Sequence, residues 1–398
     1  MRSRIRAANR REFLKAAAAT AVACPCIVTS AALGTADRAP ASERIVVGGI
    51  GIGGRGGFDM KTCLGRDDVQ YVAVCDARES ARKRAKGRVD SWYGNKDCMA
   101  YNDFREITGR NDIDAVHIAT PDHWHAIMII EACRSGKDVF CQKPETLTLR
   151  EGWLMVNAAR RYGRVVSGGS QRVLEDHRRV VDACWSGTKG AVKSINVRAL
   201  PLSQPCNLPA QEIPAGVDWE MWLGPAPWAP FNRGRLNFRP WRDYSGGVMT
   251  DIGAHLFGAA TFAVDIRELQ PVEVIYNDEE GHEFLTYRYR NGVLLHHGYP
   301  DQKLLHVVYS GDPKPAKEVP VYKGKGGILG DFLHCVKMRE KPFRDIELAI
   351  NTMAVCHLGI IAYQLKRSLK WDPANREFPG DDEANRLVDR ARREPWVL

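Results

Sequence analysis

The 398-residue chain has no internal repeat, no marked compositional bias and, past its N-terminus, no run of about 20 strongly apolar residues. Those absences exclude a repeat array, a disordered chain and an integral membrane bundle, so no stable membrane span is expected. A basic stripe interleaved with aromatics is also missing. The formal charge is +9, but residues 1–36 hold Arg2, Arg4, Arg6, Arg10, Arg11 and Lys15 against Glu12, a net +5, which leaves 9 − 5 = +4 for the remainder. That distribution excludes a nucleic-acid footprint. No third ligand has metal-like spacing beside Asp122, His123 and His125, so no metal site is expected. The 11 cysteines are not spaced as a disulfide framework; Cys75 and Cys141 end apolar runs, where a buried reduced thiol is expected. What remains, at 44% apolar and 26% charged, is ordinary globular composition with room for two domains.

Residues 1–36 read as an export signal. Asn9-Arg10-Arg11-Glu12-Phe13-Leu14-Lys15 resembles the twin-arginine consensus, and 16–36 are uncharged, mostly small and interrupted by Pro25. Cleavage after Gly34-Thr35-Ala36 would remove Cys24 and Cys26 and leave nine cysteines, an odd number. Cys24 is a poor lipid acceptor because no Leu precedes its small neighbours. Export of an already folded chain agrees with free thiols. The expected partner is the twin-arginine translocase and the expected location is periplasmic. Residues 37–44 are a polar linker.

From 45 onward, apolar β-rich runs alternate with helical segments. Strands are expected at 45–50, 69–75, 115–119, 138–141 and 164–167, and helices at 79–88 and 123–135, the latter closed by Ser135-Gly136. This alternation predicts an α/β fold whose N-terminal domain, 45–167, is a doubly wound parallel sheet of the Rossmann type. After about 168 the pattern changes. A Pro/Trp/Asn-rich stretch occupies 200–245, and extended segments follow at 272–277, 283–290 and 293–299, the last two joined by Asn291-Gly292. The second domain, 168–398, is therefore expected to be α/β with a large open, mostly antiparallel sheet and helices on one face. A helical piece is expected at 328–367, with the C-terminal helix and tail packing back on the first domain.

Gly51-Ile52-Gly53-Gly54-Arg55-Gly56 follows the first strand and should open a helix. Gly51 permits the tight turn, Gly53 a close approach to a pyrophosphate, and Gly56 close helix–strand packing; amides at the helix start then face phosphates. Asp76, 20 residues past Gly56, ends the second strand, where a carboxylate accepts from ribose hydroxyls and repels a 2′-phosphate. The cofactor expected is NAD rather than NADP, although Arg78 stands close enough in sequence to favour a 2′-phosphate.

Three further motifs fall at strand ends: Thr120-Pro121-Asp122-His123-Trp124-His125, Gln142-Lys143-Pro144, and the run from Gly246 to His255 with Asp251 and His255 four apart. A Lys, an Asp and a His around a nicotinamide suit alcohol oxidation: a base for the hydroxyl proton, a cation for the developing alkoxide and a carboxylate to hold the imidazole. Arg172, Trp241, Arg242 and Tyr244 are candidates to line a polyol pocket, whereas His296-His297 read as sheet-face residues.

With these motifs the sequence resembles the Gfo/Idh/MocA oxidoreductases, the glucose–fructose oxidoreductase and inositol dehydrogenase family. The resemblance runs from about residue 44 to the C-terminus and includes Asp218-Trp219-Glu220-Met221-Trp222-Leu223-Gly224-Pro225 and Gly380-Asp381-Asp382-Glu383-Ala384-Asn385, which resemble an exported bacterial branch. It implies a catalytic lysine at Lys143, a D-x-x-x-H pair at Asp251 and His255, and a turn under the cofactor from Thr120, Pro121 and His125. It also implies an open sheet that mediates oligomers, so a homodimer or homotetramer is expected. Two residues depart from the family pattern: Gln142 replaces the usual Glu before the lysine, and Gly258 stands where many relatives carry Asp. Asp122 occupies a position where Asn is common.

The expected activity is oxidation of a hydroxyl on a sugar, cyclitol or glycoside by a nicotinamide cofactor. An exported enzyme has no free NAD pool, so its cofactor must travel with it and be recycled in place. The alternatives are cleavage of a glycoside through transient oxidation and elimination, which the resemblance also admits, and a non-catalytic nucleotide-binding relative, against which Lys143, Asp251 and His255 argue.

Overall fold

The computed structural model describes residues 39–170, 172–299 and 305–398. The chain divides into Met1–Arg44 and Ile45–Leu398. In the first unit the described residues hold a single 3-10 turn, Ala41–Glu43. The twin-arginine motif, the apolar stretch after it, Cys24 and Cys26 lie outside the described residues.

The second unit contains two six-stranded sheets. The first alternates β1 (Ile45–Ile50), α1 (Gly54–Leu64), β2 (Val69–Cys75), α2 (Glu79–Tyr93), β3 (Met99–Tyr101), α3 (Arg105–Thr108), β4 (Ala115–Ile118), α4 (Asp122–Arg134), β5 (Asp138–Cys141), α5 (Leu149–Arg161) and β6 (Val166–Gly168). Its order is β3-β2-β1-β4-β5-β6 and every pairing is parallel. A sheet covered by helices on both faces needs apolar side chains on both, and β4 and β5 are accordingly buried throughout. The chain reverses direction across the sheet between β1 and β4, and a crevice opens at the carboxyl ends of those strands. Thr148 starts α5 with a capping box closed by Glu151.

Two short helices, α6 (Arg172–Glu175) and α7 (Arg178–Trp185), lead to β7 (Val192–Val197). Then come α8 (Trp219–Leu223), α9 (Val248–Asp251) and α10 (Gly253–Ala263), followed by β8 (Glu273–Glu279), β9 (His282–Arg288), β10 (Leu294–His297) and β11 (His306–Tyr309). The chain closes with α11 (Gly327–Met338), α12 (Ile346–Leu365), β12 (Leu369–Lys370) and α13 (Asp382–Asn385). The second sheet has the order β11-β7-β10-β9-β8-β12, and β10–β7 is its parallel pair. One face, with Ile195, Val197, Leu285, Tyr287 and Leu295, packs on α10 and α12 in a single large core. The opposite face carries Ser194, Asn196, Thr286 and His296 in register.

Several sequence expectations are corrected. The helical piece at 328–367 is two helices, because Arg339 takes a left-handed cap (φ 55°) and Pro342 follows. The strand β3 went unrecognised at only three residues. The hairpin expected at Asn291-Gly292 does join β9 and β10 antiparallel, through a loop from Tyr289 to Val293 in which only Gly292 is left-handed, and a tighter hairpin that was not expected turns at Glu280-Gly281, both left-handed, between β8 and β9. Helix α12, at 20 residues and mean hydropathy 1.5, is long and apolar enough to cross a membrane, contrary to the reading that no such run exists; 72% of that window is buried inside the protein. The nine described cysteines are free thiols.

The C-terminal elements reach back to the first sheet. Phe332 of α11 meets Phe140 of β5 with ring centroids 5.7 Å apart, and Trp396 packs edge-on to Trp124 at 4.7 Å. Arg392 bonds Glu151, which is buried at the start of α5. These contacts place both sheets around one cleft.

Candidate active site

The cleft holds a cavity of about 560 Å3 at the carboxyl ends of β1, β2, β4 and β5. Its floor begins at the glycine turn. Gly51 has φ 79°, and its N–H donates to Cys75 O (2.8 Å). A Cβ at Gly51 would lie 2.7 Å from the carbonyl carbon of Ala119, and one at Gly56 would lie 1.9 Å from Gly51 O, so both positions require glycine. A Cβ at Gly54, where α1 starts, would meet nothing within 4 Å. The turn therefore leaves open space in front of a helix N-terminus, the place for a pyrophosphate. Asp76 sits beside it: Oδ2 accepts from Ile52 N–H (3.1 Å), and Oδ1 accepts from Arg78 N–H (2.9 Å) and Nε (3.3 Å). These residues fit a dinucleotide. Arg78 is bound to Asp76 yet also lines the cavity, so adenosine ribose would meet both charges.

Gln142 and Lys143 continue the wall after β5. The Gln142 amide donates to Asp59 Oδ2 (2.7 Å), which also takes Arg55 Nε (3.1 Å) and lies 3.3 Å from His117 Nε2. Burial alone would raise the Asp59 carboxyl; His117 and Arg55 outweigh it and hold the group below its ordinary range. A glutamate at 142 would set two carboxylates against each other, which gives a physical reason for the amide. Beneath, His125 lies between Pro144 O (Nδ1, 2.8 Å) and Thr120 O (Nε2, 2.9 Å), stitching the 120–122 turn to the lysine loop without lining the cavity. Burial pushes its imidazole below the ordinary range, although both carbonyls pull the other way.

Lys143 Nζ donates to Asp251 Oδ1 (2.7 Å) and Asp251 O (2.8 Å), and Arg239 Nε donates to the same Oδ1 (3.0 Å). Burial would raise the Asp251 carboxyl, but these two cations hold it below its usual value. Ile252 separates α9 from α10, so Asp251 and His255 do not form one helical pair. His255 lines the cavity, and its Nδ1 is 2.8 Å from Ser170 Oγ. Burial, reinforced by Lys143, Arg344 and Arg172, pushes its imidazole down to about 2, so it is neutral at physiological pH. The reading that Asp251 orients the imidazole is thus corrected: Asp251 holds the lysine, and Ser170, which the sequence did not single out, holds the histidine.

Gly258 faces Arg344, whose Nη1 is 3.0 Å from where a Cβ would stand. Arg344 in turn pairs with Glu145 at 3.2 Å, both buried. The charge that an aspartate at 258 would supply comes here from Glu145.

Among the other predicted residues, Gly53, Arg55, Thr120, Pro121, Asp122 and Arg172 line the cavity. Ile52, Gly56, Trp241, Arg242 and Tyr244 do not. Tyr244 is fully buried in an aromatic cluster, its hydroxyl accepting from Arg235 (3.2 Å). Trp241 donates to Gly234 O (3.1 Å), and Arg242 is exposed, its carbonyl accepting from Arg390 (2.7 Å). The turn closed by Tyr244 N–H to Trp241 O (3.0 Å) leaves these three candidates for a polyol pocket outside the cavity wall.

The wall that sequence reasoning missed is a strap at 216–239, which contributes Met221, Trp222, Leu236, Phe238 and Arg239. It is pinned to the end of β2: Glu79 N–H donates to Gly216 O (2.8 Å), Asp218 N–H to Ala77 O (3.0 Å), and Asn102 Nδ2 to Asp218 Oδ2 (2.6 Å). Trp124 Nε1 donates to Trp222 O (3.1 Å), and Gly224 (φ 50°) packs where a Cβ would stand 2.1 Å from the Trp124 ring. The tryptophan-rich Asp218–Pro225 segment was visible in the sequence, but nothing in it specified a docking place 140 residues upstream.

Residues 44–170 match the family described as "Oxidoreductase family, NAD-binding Rossmann fold", and residues 202–398 match its C-terminal alpha/beta domain. The chain belongs to the Gfo/Idh/MocA oxidoreductase family. Among curated proteins, glycosyl hydrolase family 109 protein 1 of Shewanella sp. (strain MR-4) is 36% identical over 126 residues, 31% of this chain and 28% of that protein. The match thus spans under a third of that relative. Among solved structures, myo-inositol 2-dehydrogenase from Lactobacillus plantarum aligns with TM-score 0.58 at 15% identity, covering 82% of this chain and 99% of that one. Aldose-aldose oxidoreductase from Caulobacter crescentus aligns with TM-score 0.55 at 16% identity, covering 82% and 99%. At these identities the two structures show a shared fold. The family is a nicotinamide-binding one, which the glycine turn, Asp76 and the open helix end accommodate.

Proposed function

We propose that this protein oxidises a hydroxyl of a sugar, cyclitol or glycoside, using NAD that stays bound and is recycled in place. The observation that carries the reading is the joining of a dinucleotide cradle to Lys143 and His255 in one cavity. A bound nicotinamide supplies the hydride acceptor. The protein's own residues supply the rest. His255 Nδ1 stands 2.8 Å from Ser170 Oγ; in the tautomer that places the proton of the neutral ring on Nδ1, Ser170 accepts the hydrogen bond and the Nε2 lone pair takes the hydroxyl proton. Lys143, fixed by Asp251, stabilises the charge that develops on the oxygen. Asp76 accepts from the adenosine ribose, which favours NAD over NADP.

The strap at 216–239 supports cofactor retention, since the nucleotide end of the cavity is walled by a segment bonded to Ala77, Glu79 and Asn102. Retention suits an exported enzyme, and the Arg10-Arg11 motif supports export to the periplasm through the twin-arginine translocase. Self-association through the second sheet is part of the same reading. Its outer face carries Val308, 43% exposed, in register with Ser194, next to Asn196, whose amide is buried without a partner. Glycoside cleavage is the second reading, favoured by the glycosyl hydrolase name of the curated relative.

The test is to denature the purified protein and identify the released nucleotide by mass, then to follow nicotinamide absorbance in the native protein across a sugar panel. Release of NAD and its reduction by at least one sugar are expected. A protein that binds no nucleotide, or binds one that no sugar reduces, overturns the reading.

A further inference from the structure

Holding a neutral hydroxyl for oxidation takes one cation, and Lys143 supplies it. The cavity wall carries two more beside it, Arg172 from α6 and Arg239 from the strap. Each is tethered through Nε alone, Arg172 to Asp176 Oδ2 (3.2 Å) and Arg239 to Asp251 Oδ1 (3.0 Å). Their terminal Nη atoms have no partner among the described residues. Arg172 and Asp176 are both half exposed, a weak pair that a better acceptor displaces. The Arg239 guanidinium lies over the Phe238 ring, 4.8 Å from its centroid, which sets the plane of the fork.

Little in the wall balances these charges. Asp76 stands at the ribose end and is paired with Arg78. Burial pushes Asp122 up to about 7 against Ser245 and the nearby cations, so it is only partly ionised at neutral pH. Asp251 is shared between Lys143 and Arg239. His255 is neutral, and Lys143 and Arg172 help to hold it so. Three cations against Asp251 and Asp176 leave one positive charge uncompensated at the substrate end. A pyrophosphate at the start of α1 would not use it, since helix amides and Arg55 serve that place.

We propose that the substrate is a carboxylated sugar, a uronate or its glycoside, whose carboxylate is bound by the guanidinium forks of Arg172 and Arg239 while Lys143 and His255 act on a ring hydroxyl. The proposal rests on the oxidation reading above and names its substrate class. A carboxylate meets a guanidinium in a planar pair of parallel bonds that a sugar hydroxyl cannot reproduce. Arg172 acts on His255, and Arg239 bonds the carboxylate that holds Lys143, so both forks stand beside the reacting pair.

The test gives the full-length protein, with its bound nucleotide, matched pairs: glucuronate against glucose, galacturonate against galactose, and their methyl glycosides. In about 50 mM salt, kcat/KM for nicotinamide reduction should favour the acid by roughly 10- to 100-fold, mainly through KM. The preference should shrink at about 0.5 M salt. Arg172→Ala should cut the acid-to-neutral ratio by about 10-fold, and Arg172→Lys, which keeps the charge and loses the fork, by less. The ratio cancels general damage to the site, and absorbance of the retained nucleotide reports folding. A ratio at or below one, a ratio unmoved in Arg172→Ala, or a stronger preference for the matching 6-phosphate than for the uronate overturns the proposal. If no sugar of either kind reduces the nicotinamide, the oxidation reading fails. Calorimetric titration of the same pairs then decides the carboxylate site by itself: tighter binding of the acid supports it, and equal binding overturns it.

Discussion

At its cofactor end the cavity is built from backbone that is contiguous or nearly so: the Gly51–Gly56 turn, the helix start behind it, and Asp76 one strand away, bonded to Ile52. At its substrate end it is built from side chains brought from far apart. Lys143 reaches Asp251 across 108 positions, and Ser170 reaches His255 across 85. The first end relies on conformations that only certain residues adopt, such as the positive φ at Gly51. The second relies on charges that hold one another in partly dry surroundings, where a lost partner leaves an uncompensated group. Damage at the first end should therefore appear as lost binding or stability, and damage at the second as lost turnover with the nucleotide still bound.

The largest effect should come from the substrate end. His255→Ala is expected to lower single-turnover nicotinamide reduction by about 10²–10⁴, and Lys143→Ala by as much or more. The double variant should fall short of the product, because both groups act on one oxygen and its proton. Absorbance of the retained nucleotide should stay near that of wild type; a protein emptied of nucleotide would break the division between the two ends.

At the cofactor end, Asp76→Ala removes a charged acceptor worth roughly 1.5–3 kcal/mol. NAD affinity should drop by about one to two decades, and NADP affinity much less, as titration calorimetry on nucleotide-stripped protein would read. Equal losses for both would mean that Arg78 rather than Asp76 selects the ribose.

Gly56→Ala tests the backbone directly. Its Cβ would sit 1.9 Å from Gly51 O, so α1 must move, and a stability loss of about 1–3 kcal/mol is expected together with weakened nucleotide binding. A thermal scan with and without NAD separates the two effects. Unchanged melting would show that the helix shifts freely.

The smallest expected effect concerns His357, a buried histidine of α12 that meets Thr146 at 2.9 Å. Burial, with Arg390 adding to it against Thr146, pushes His357 down to about 3. The unfolded chain takes up its proton below about pH 6.5, so stability is complete above that pH and falls as the solution is acidified toward 3. The slope is about 1.4 kcal/mol per pH unit for one such group. His357→Gln should flatten the fall of melting temperature between pH 6.5 and 4.5 by that contribution. An unaltered slope would mean that this histidine is already charged in the folded protein.

The parallel sheet, the glycine turn and Asp76 were legible because each is local. Strand, turn, helix and acid fall within 32 residues, and period and glycine spacing carry that information in order. The cysteine reading likewise followed from local apolar context, and Cys75 and Cys141 are buried. Legibility failed where a contact partner was distant. Ser170 follows Gly168, the last residue of β6, and Gly169, and resembles any loop serine. Arg239 and Phe238 belong to a stretch read only as rich in proline and tryptophan. Tyr244 and Trp241 have the composition of a sugar site, but their rings turn into the cluster of Trp222 and Phe231.

The sequence by itself determined the glycine turn and the acidic residue beside it, Gly51, Gly53, Gly54 and Asp76, and that a lysine, an aspartate and a histidine accompany them. Backbone conformation and strand order follow short-range rules that residue type enforces. Only the tertiary structure decided which carboxylate serves which base. Asp251 and His255 are four apart in sequence, yet the break at Ile252 and the arrival of Lys143, Arg239 and Ser170 assign the aspartate to the lysine and the histidine to the serine. That pairing is settled by which charges are buried together, and burial is a property of the packed chain rather than of any segment within it.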